Sequence, residues 1–250
     1  MRTFTVSRFS VALYLLGLPG IALVTVGVLP EFIRGRELPV PLWVLELASG
    51  LQSMILLGLA VFVGVRLSNR IGLSAPILES LSTRRPLPVK MRNIFASALL
   101  AGVAGAALLA NGPKFAPPEL TAHQTEVKVP VLAGLLYGGI TEELLLRWGF
   151  MTFLAWLLWR LFQRGAGVPK PALMWCAIVG SAVLFGLGHL PAVSALVGHI
   201  TFSVGVYIVV ANAAFGLVAG WTYWRKGLEA AIGAHSLAHL LAALAQVVSA

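Results

Sequence analysis

Ile140-Thr141-Glu142-Glu143-Leu144-Leu145-Leu146-Arg147 sits in the middle of a long apolar run, and its reading decides the fold. A charged side chain at the centre of a membrane helix costs about 3 kcal/mol even on lenient insertion scales. Two adjacent acids followed closely by an arginine therefore call for a polar cavity inside a helical bundle, with the charges facing inward.

The rest of the chain agrees with that reading. It has 250 residues, of which 58% are hydrophobic and 11% charged, against about 25% charged in soluble domains. Prolines at 30, 39, 41, 86, 88, 113, 117, 118, 169, 171 and 191 punctuate it. Between them seven apolar spans are expected, at about 9–29, 42–65, 93–111, 130–159, 171–190, 201–224 and 227–248, each near the roughly 20 residues a bilayer needs. The fold class is all-α, a polytopic transmembrane bundle forming one membrane domain over 1–250. An eighth span or re-entrant piece near 191–200 is the open alternative. The stretch from Met1 to Pro30 reads as an uncleaved first helix rather than a signal peptide, because its apolar part is long and lacks a small-x-small exit.

Charge orients the spans. Of the 18 Lys and Arg, thirteen fall on one side, four on the other, and Arg147 lies within a span. The positive-inside rule then puts the N-terminus in the cytoplasm and the C-terminus outside, and the short loops suggest a prokaryotic cytoplasmic membrane. The net charge of +9 is accounted for by these loops. No basic run is interleaved with aromatics of the kind that stack on bases, so nucleic acid is not an expected partner. All nine acids are Glu, which excludes an aspartate dyad. The single cysteine, Cys176, excludes an intrachain disulfide and a cysteine zinc site; it reads as a packing residue.

The fourth span is too long. From Val131 to Phe162 a continuous α-helix would run roughly 48 Å, against a hydrocarbon core of about 30 Å, so protrusion, tilt or a bend is expected, with Gly138-Gly139 as the place to bend. The pairs Gly134/Gly138 and Gly216/Gly220 are small-xxx-small steps that allow close helix contact.

Within the key stretch, Glu143 and Arg147 are four apart and share a helix face, so they are expected to pair. Glu142 is turned about 100° away and is expected to face the cavity. The alternative is a purely structural ion cluster of all three. His189 follows Phe185 by one turn, and His235 and His239 are again four apart. His199 and His123 fall in connections and are read as unrelated to chemistry. Hydrolysis needs a held water, a base and donors for the developing oxyanion. Glu142 and His189, with His235 and His239, supply residue types for all three. The same four are reasonable zinc ligands, although neither a His-Glu-x-x-His helix nor a Gly-x-Ser-x-Gly elbow is present.

The order Glu-Glu-x-x-x-Arg, Phe-x-x-x-His and His-x-x-x-polar on successive helices resembles the CPBP family. Its members are CAAX-type prenyl-protein endopeptidases and bacteriocin-processing or self-immunity proteins, related to the Rce1 intramembrane glutamate proteases. Here the motifs are Glu142 to Arg147, Phe185 to His189, and His235 to His239. Phe215 to Gly220 followed by Arg225-Lys226-Gly227-Leu228 looks like the family's linker to the last motif. The resemblance covers about 130–245, the catalytic core; residues 1–125 match only as apolar helices. It implies that Glu142 and His189 activate a water for attack on a peptide carbonyl, and that His235 and the residue four later form the oxyanion site. That later residue is often Asn in the family and is His239 here. A histidine still donates a hydrogen bond, but the change bears on pH dependence and metal affinity. No cofactor is expected, with zinc the alternative. The expected partner is a membrane-associated or lipidated protein or peptide. The rival reading is a non-catalytic immunity or scaffold protein, or a proton- or ion-coupled transporter using the Glu/His cluster.

One geometric condition attaches to this. His189 is expected near the outer end of its span and Glu142 lies twelve residues past Pro130. They meet only if the fourth helix starts outside the hydrocarbon or the fifth span ends later than expected.

Overall fold

In the computed structural model, residues 7–87, 91–122 and 129–249 are described. His123 lies outside them. Among the described residues there are helices and no strands. Among the described residues, seven helices are long and apolar enough to cross a membrane: α1 (Arg8–Phe32), α2 (Leu42–Arg70), α3 (Met91–Phe115), α4 (Val131–Gln163), α5 (Pro171–Val197), α6 (Phe202–Lys226) and α7 (Leu228–Val248). The piece near 191–200 is an eight-residue helix, Leu190–Val197, that continues α5 after a break at His189. It is far too short to be an eighth span.

Local chemistry sets the helix ends. Ser7 Oγ accepts the Ser10 N–H at 3.1 Å to start α1, and Thr201 Oγ1 accepts the Val204 N–H at 3.3 Å to start α6, each satisfying a donor left over at a helix N-terminus. Pro41, Pro130 and Pro171 stand at the starts of α2, α4 and α5, where a missing N–H costs nothing. Between α6 and α7 the chain reverses at Gly227, with φ of +95°, a conformation that favours glycine. The next residue's N–H bonds to the Ser74 carbonyl at 3.0 Å. That bond, and the Glu229 carboxylate accepting the Leu78 N–H at 2.7 Å, fix the start of α7 to the α2–α3 connection and its short helix Pro76–Thr83.

Lipid tails are as apolar as leucine, so helices in a bilayer associate through tight packing and hydrogen bonds. The contacts follow that rule. A Cβ on Gly216 would lie 2.8 Å from Ala182, and one on Gly220 would lie 3.0 Å from Ile178, so this pair seats α6 on α5. Trp148, fully buried, packs edge-on against Phe9 of α1, with ring centroids 5.7 Å apart. Cys176 departs from its sequence reading: it is exposed on the outer face of α5, where an apolar thiol suits lipid contact.

Part of the excess length of α4 is taken up by its winding. Gly134–Glu142 and Leu144–Met151 are π-helical, which puts more residues into each turn and shortens the helix. The hydroxyls of Thr141 and Thr152 bond five residues back, to Leu136 O at 3.2 Å and to Arg147 O at 3.1 Å, matching the i→i+5 backbone spacing. At Gly138-Gly139 the structure thus has a change of winding where the sequence suggested a bend. Such segments are rare and occur mostly at functional sites.

Candidate active site

Glu142 and Glu143 close one π segment and cap the next, so the two carboxylates diverge. Glu143 is fully buried and Glu142 is half-buried. Glu143 Oε1 lies 3.1 Å from Arg147 Nη1, a close approach of opposite charges that is not aligned as a hydrogen bond. Arg147 is also fully buried. Its Nη2 donates to Gly216 O at 3.4 Å and its guanidinium lies 4.9 Å from the Phe185 ring centroid, a cation–π contact.

The same Oε1 of Glu143 receives a second partner from α7, His235 Nδ1 at 2.8 Å. A carboxylate oxygen only accepts, so Nδ1 carries the proton. Nε2 of His235 is then a lone pair in the neutral ring and a donor only in the imidazolium. On α5, His189 Nδ1 lies 2.8 Å from Phe185 O. A carbonyl also only accepts, so the neutral His189 ring presents a basic Nε2. The Phe185 ring meets both imidazoles edge-on, with centroids 4.8 Å from His189 and 5.9 Å from His235.

His239 stacks on His235 at a centroid separation of 5.0 Å and an angle of 18°. Its room comes from glycine. A Cβ on Gly138 would lie 2.7 Å from His239 Nε2, and one on Gly134 would lie 2.9 Å from His239 Cγ. On the next position, a Cβ on Gly139 would overlap Ser236. The three glycines make α4 flat where α7 presses its histidines against it.

Glu142, Phe185, His189, His235 and His239 all line one open cavity of about 750 Å³, within the usual range for ligand pockets. The condition on Glu142 and His189 is met from the α5 side: the span continues past His189 to Val197, so His189 is inside the bundle. Glu143 and Arg147 stand behind this wall and do not line the cavity. His199 is exposed and also does not. Tyr137, Tyr207 and Asn212 line it as well, and the sequence reading passed over all three. An amide alone in an apolar span, as at Asn212, was the available signal; the tyrosines gave none.

Among the described residues, no group of three or more His, Cys, Asp or Glu converges in a way that could hold a metal ion. Nδ1 of His189 and of His235 is already engaged, so any metal bound by them would have to use Nε2.

The model of a family described as Rce1-like, type II CAAX prenyl endopeptidase, matches residues 125–241. No curated protein and no solved structure matches the chain. The match agrees with the resemblance read from the motifs. The seven apolar helices among the described residues mark an integral membrane protein.

Proposed function

We propose, since residues 125–241 belong to the Rce1-like family of type II CAAX prenyl endopeptidases, that the cavity hydrolyses a peptide bond of a membrane-associated protein with a water activated by Glu142 and His189. The observation that carries this reading is that a single cavity is lined by Glu142 from α4, His189 from α5, and His235 and His239 from α7.

In this mechanism a water sits between the Glu142 carboxylate and His189 Nε2. One of them removes its proton as the oxygen attacks the scissile carbonyl. The oxygen–carbon bond forms, and the carbonyl electron pair moves onto its oxygen. That oxyanion is met by donors on α7: His239, and His235 Nε2–H in the imidazolium form, whose charge faces Glu143 across 2.8 Å. Collapse of the intermediate breaks the C–N bond, and the proton taken from water passes to the departing amine. Donors held ready for a developing oxyanion contribute about 3 kcal/mol each in enzymes where they have been removed. Arg147 offsets the Glu143 charge. Glu143 in turn holds the His235 ring, which makes it a positioning residue.

The test compares the termini of the membrane proteome in cells expressing the wild-type chain or Glu142→Gln at equal levels. Termini that depend on wild type establish proteolysis and identify the substrate. Loss of about 10² to 10⁴ in rate is expected for the variant, with its fold intact. Full activity in Glu142→Gln would remove this mechanism.

A further inference from the structure

Most of the cavity lining comes from one end of the bundle, while Phe185, Phe215, His235 and His239 sit near the middle of their helices. At that end the lining comes from the C-terminal parts of α1 (Val28 to Ile33), α3 (Leu108 to Pro113) and α5 (His189 to Ala195), from the N-terminal portions of α2 (Ser49), α4 (Ala133 to Glu142) and α6 (Tyr207 to Asn212), and from Val129 just before α4. A second cavity, of about 670 Å³, lies between the ends of α3 and α7 and the start of α4 and shares His239 and Gly134 with the first. It opens at that same end. From Val131 to Glu142 the depth is at most roughly 16 Å along a helix, about half of the hydrocarbon core.

The opposite end carries the charge. Arg66 and Arg70 close α2, Arg84 and Arg85 follow the short helix after it, Arg160 and Arg164 end α4, and Arg225 and Lys226 end α6. Glu229 and Ser74 tie that end together. At the cavity end the described residues include only Arg34, Arg36 and Lys114 as cations, and Arg34 is paired with Glu31. Cationic loops stay in the cytoplasm.

We infer that the cavity opens on the face of the membrane away from the cytoplasm, and that its substrate is a polypeptide segment presented from that side, at the membrane-embedded end of an exported or membrane-anchored protein. This rests on the reading of the cavity as a peptide-hydrolysing site. A protein tethered by lipid to the cytoplasmic leaflet would meet the arginine-rich end instead, where α4 ends at Gln163, at most roughly 30 Å along a helix from Glu142. The apolar residues of the walls, such as Val28, Phe32 and Leu109, suit a segment that is itself partly in the hydrocarbon.

Single-cysteine chains in a Cys176→Ala background decide the facing without any assay of catalysis. Ala192, exposed at the cavity wall on α5, and Ala166, exposed in the α4–α5 connection at the basic end, are each replaced by cysteine. A membrane-impermeant maleimide added to intact bacterial cells is expected to label Ala192→Cys as fully as after permeabilisation, and Ala166→Cys only after permeabilisation. The reverse pattern, or labelling of both in intact cells, would overturn the proposal. Termini that depend on Glu142 are then sorted by side. They are expected in segments at or beyond the outer surface, and their appearance in cytoplasmic tails would overturn the substrate assignment. If no Glu142-dependent terminus appears although Ala192→Cys is labelled from outside, the proteolytic reading fails, the substrate assignment falls with it, and the facing stands.

Discussion

Glu143 Oε1 sits between His235 Nδ1 at 2.8 Å and Arg147 Nη1 at 3.1 Å, so one buried oxygen couples the charge of α4 to the imidazole of α7. The sequence spacing supplies only the Arg147 half of this relationship. The His235 half joins two residues 92 positions apart in the chain.

Removing the Glu143 charge leaves Arg147 buried and unpaired, an arrangement that costs about 3 to 5 kcal/mol when one partner of a buried pair is lost. Glu143→Gln is therefore expected to lower the melting temperature in detergent. Its amide oxygen still accepts from His235 Nδ1, so turnover measured well below melting should fall less than in Glu143→Ala. Pairing Glu143→Gln with Arg147→Met should recover stability. A Glu143→Gln protein as stable as wild type would show that the ion pair contributes nothing.

His239 tests the donor role directly. His239→Asn keeps an N–H donor at the same helical position and should stay within about tenfold of wild-type turnover, whereas His239→Ala should lose about 10² to 10³. The two variants are to be compared for kcat with substrate saturating. Equal losses in both would mean that the imidazole has a role an amide donor does not replace.

The glycine face can be probed by adding one carbon. Alanine is the better helix former by about 1 kcal/mol, yet a Cβ at Gly138 would lie 2.7 Å from His239 Nε2. Gly138→Ala should depress turnover with little loss of helix content. Gly58→Ala is the control, since its Cβ would meet only Tyr14 Cε2 at an ordinary 3.7 Å. Wild-type turnover in Gly138→Ala would show that the seat of His239 is not tight.

Metal removal separates the two ways of using the four residues. With water activated by Glu142 and His189 alone, dialysis against a chelator should leave turnover unchanged and added zinc should not raise it. Loss with chelator, restored by zinc, would turn Glu142, His189, His235 and His239 from acid–base groups into ligands.

The spans were legible because each is a run of apolar residues ended by proline or charge, and lipid enforces that pattern more strictly than a soluble core does. The pairing of Glu143 with Arg147 was legible because it is local to one helix. The π winding of α4 was not. Gly138-Gly139 marks a soft place, but whether such a place bends or rewinds depends on the helix pressed against it. The exposure of Cys176 was hidden for a related reason: in lipid an apolar residue is as acceptable outside the bundle as inside, so hydrophobicity stops reporting burial. Tyr137 and Tyr207 were missed because a lone aromatic in a span carries no periodic signal.

The cavity that holds Glu142 and His189 is walled on one side by Val24, Val28, Phe32 and Ser49, and by Leu108 and Leu109. All of these precede residue 125, where the family match begins. The portion of the chain that makes it recognisable is thus separate from much of the surface a substrate must touch. Two chains that shared every motif residue but differed in their first three helices would present different cavity walls, and so would accept different polypeptides under the proposed function. Swapping α1 to α3 between members would then be a way to move selectivity from one chain to another and leave the chemistry alone.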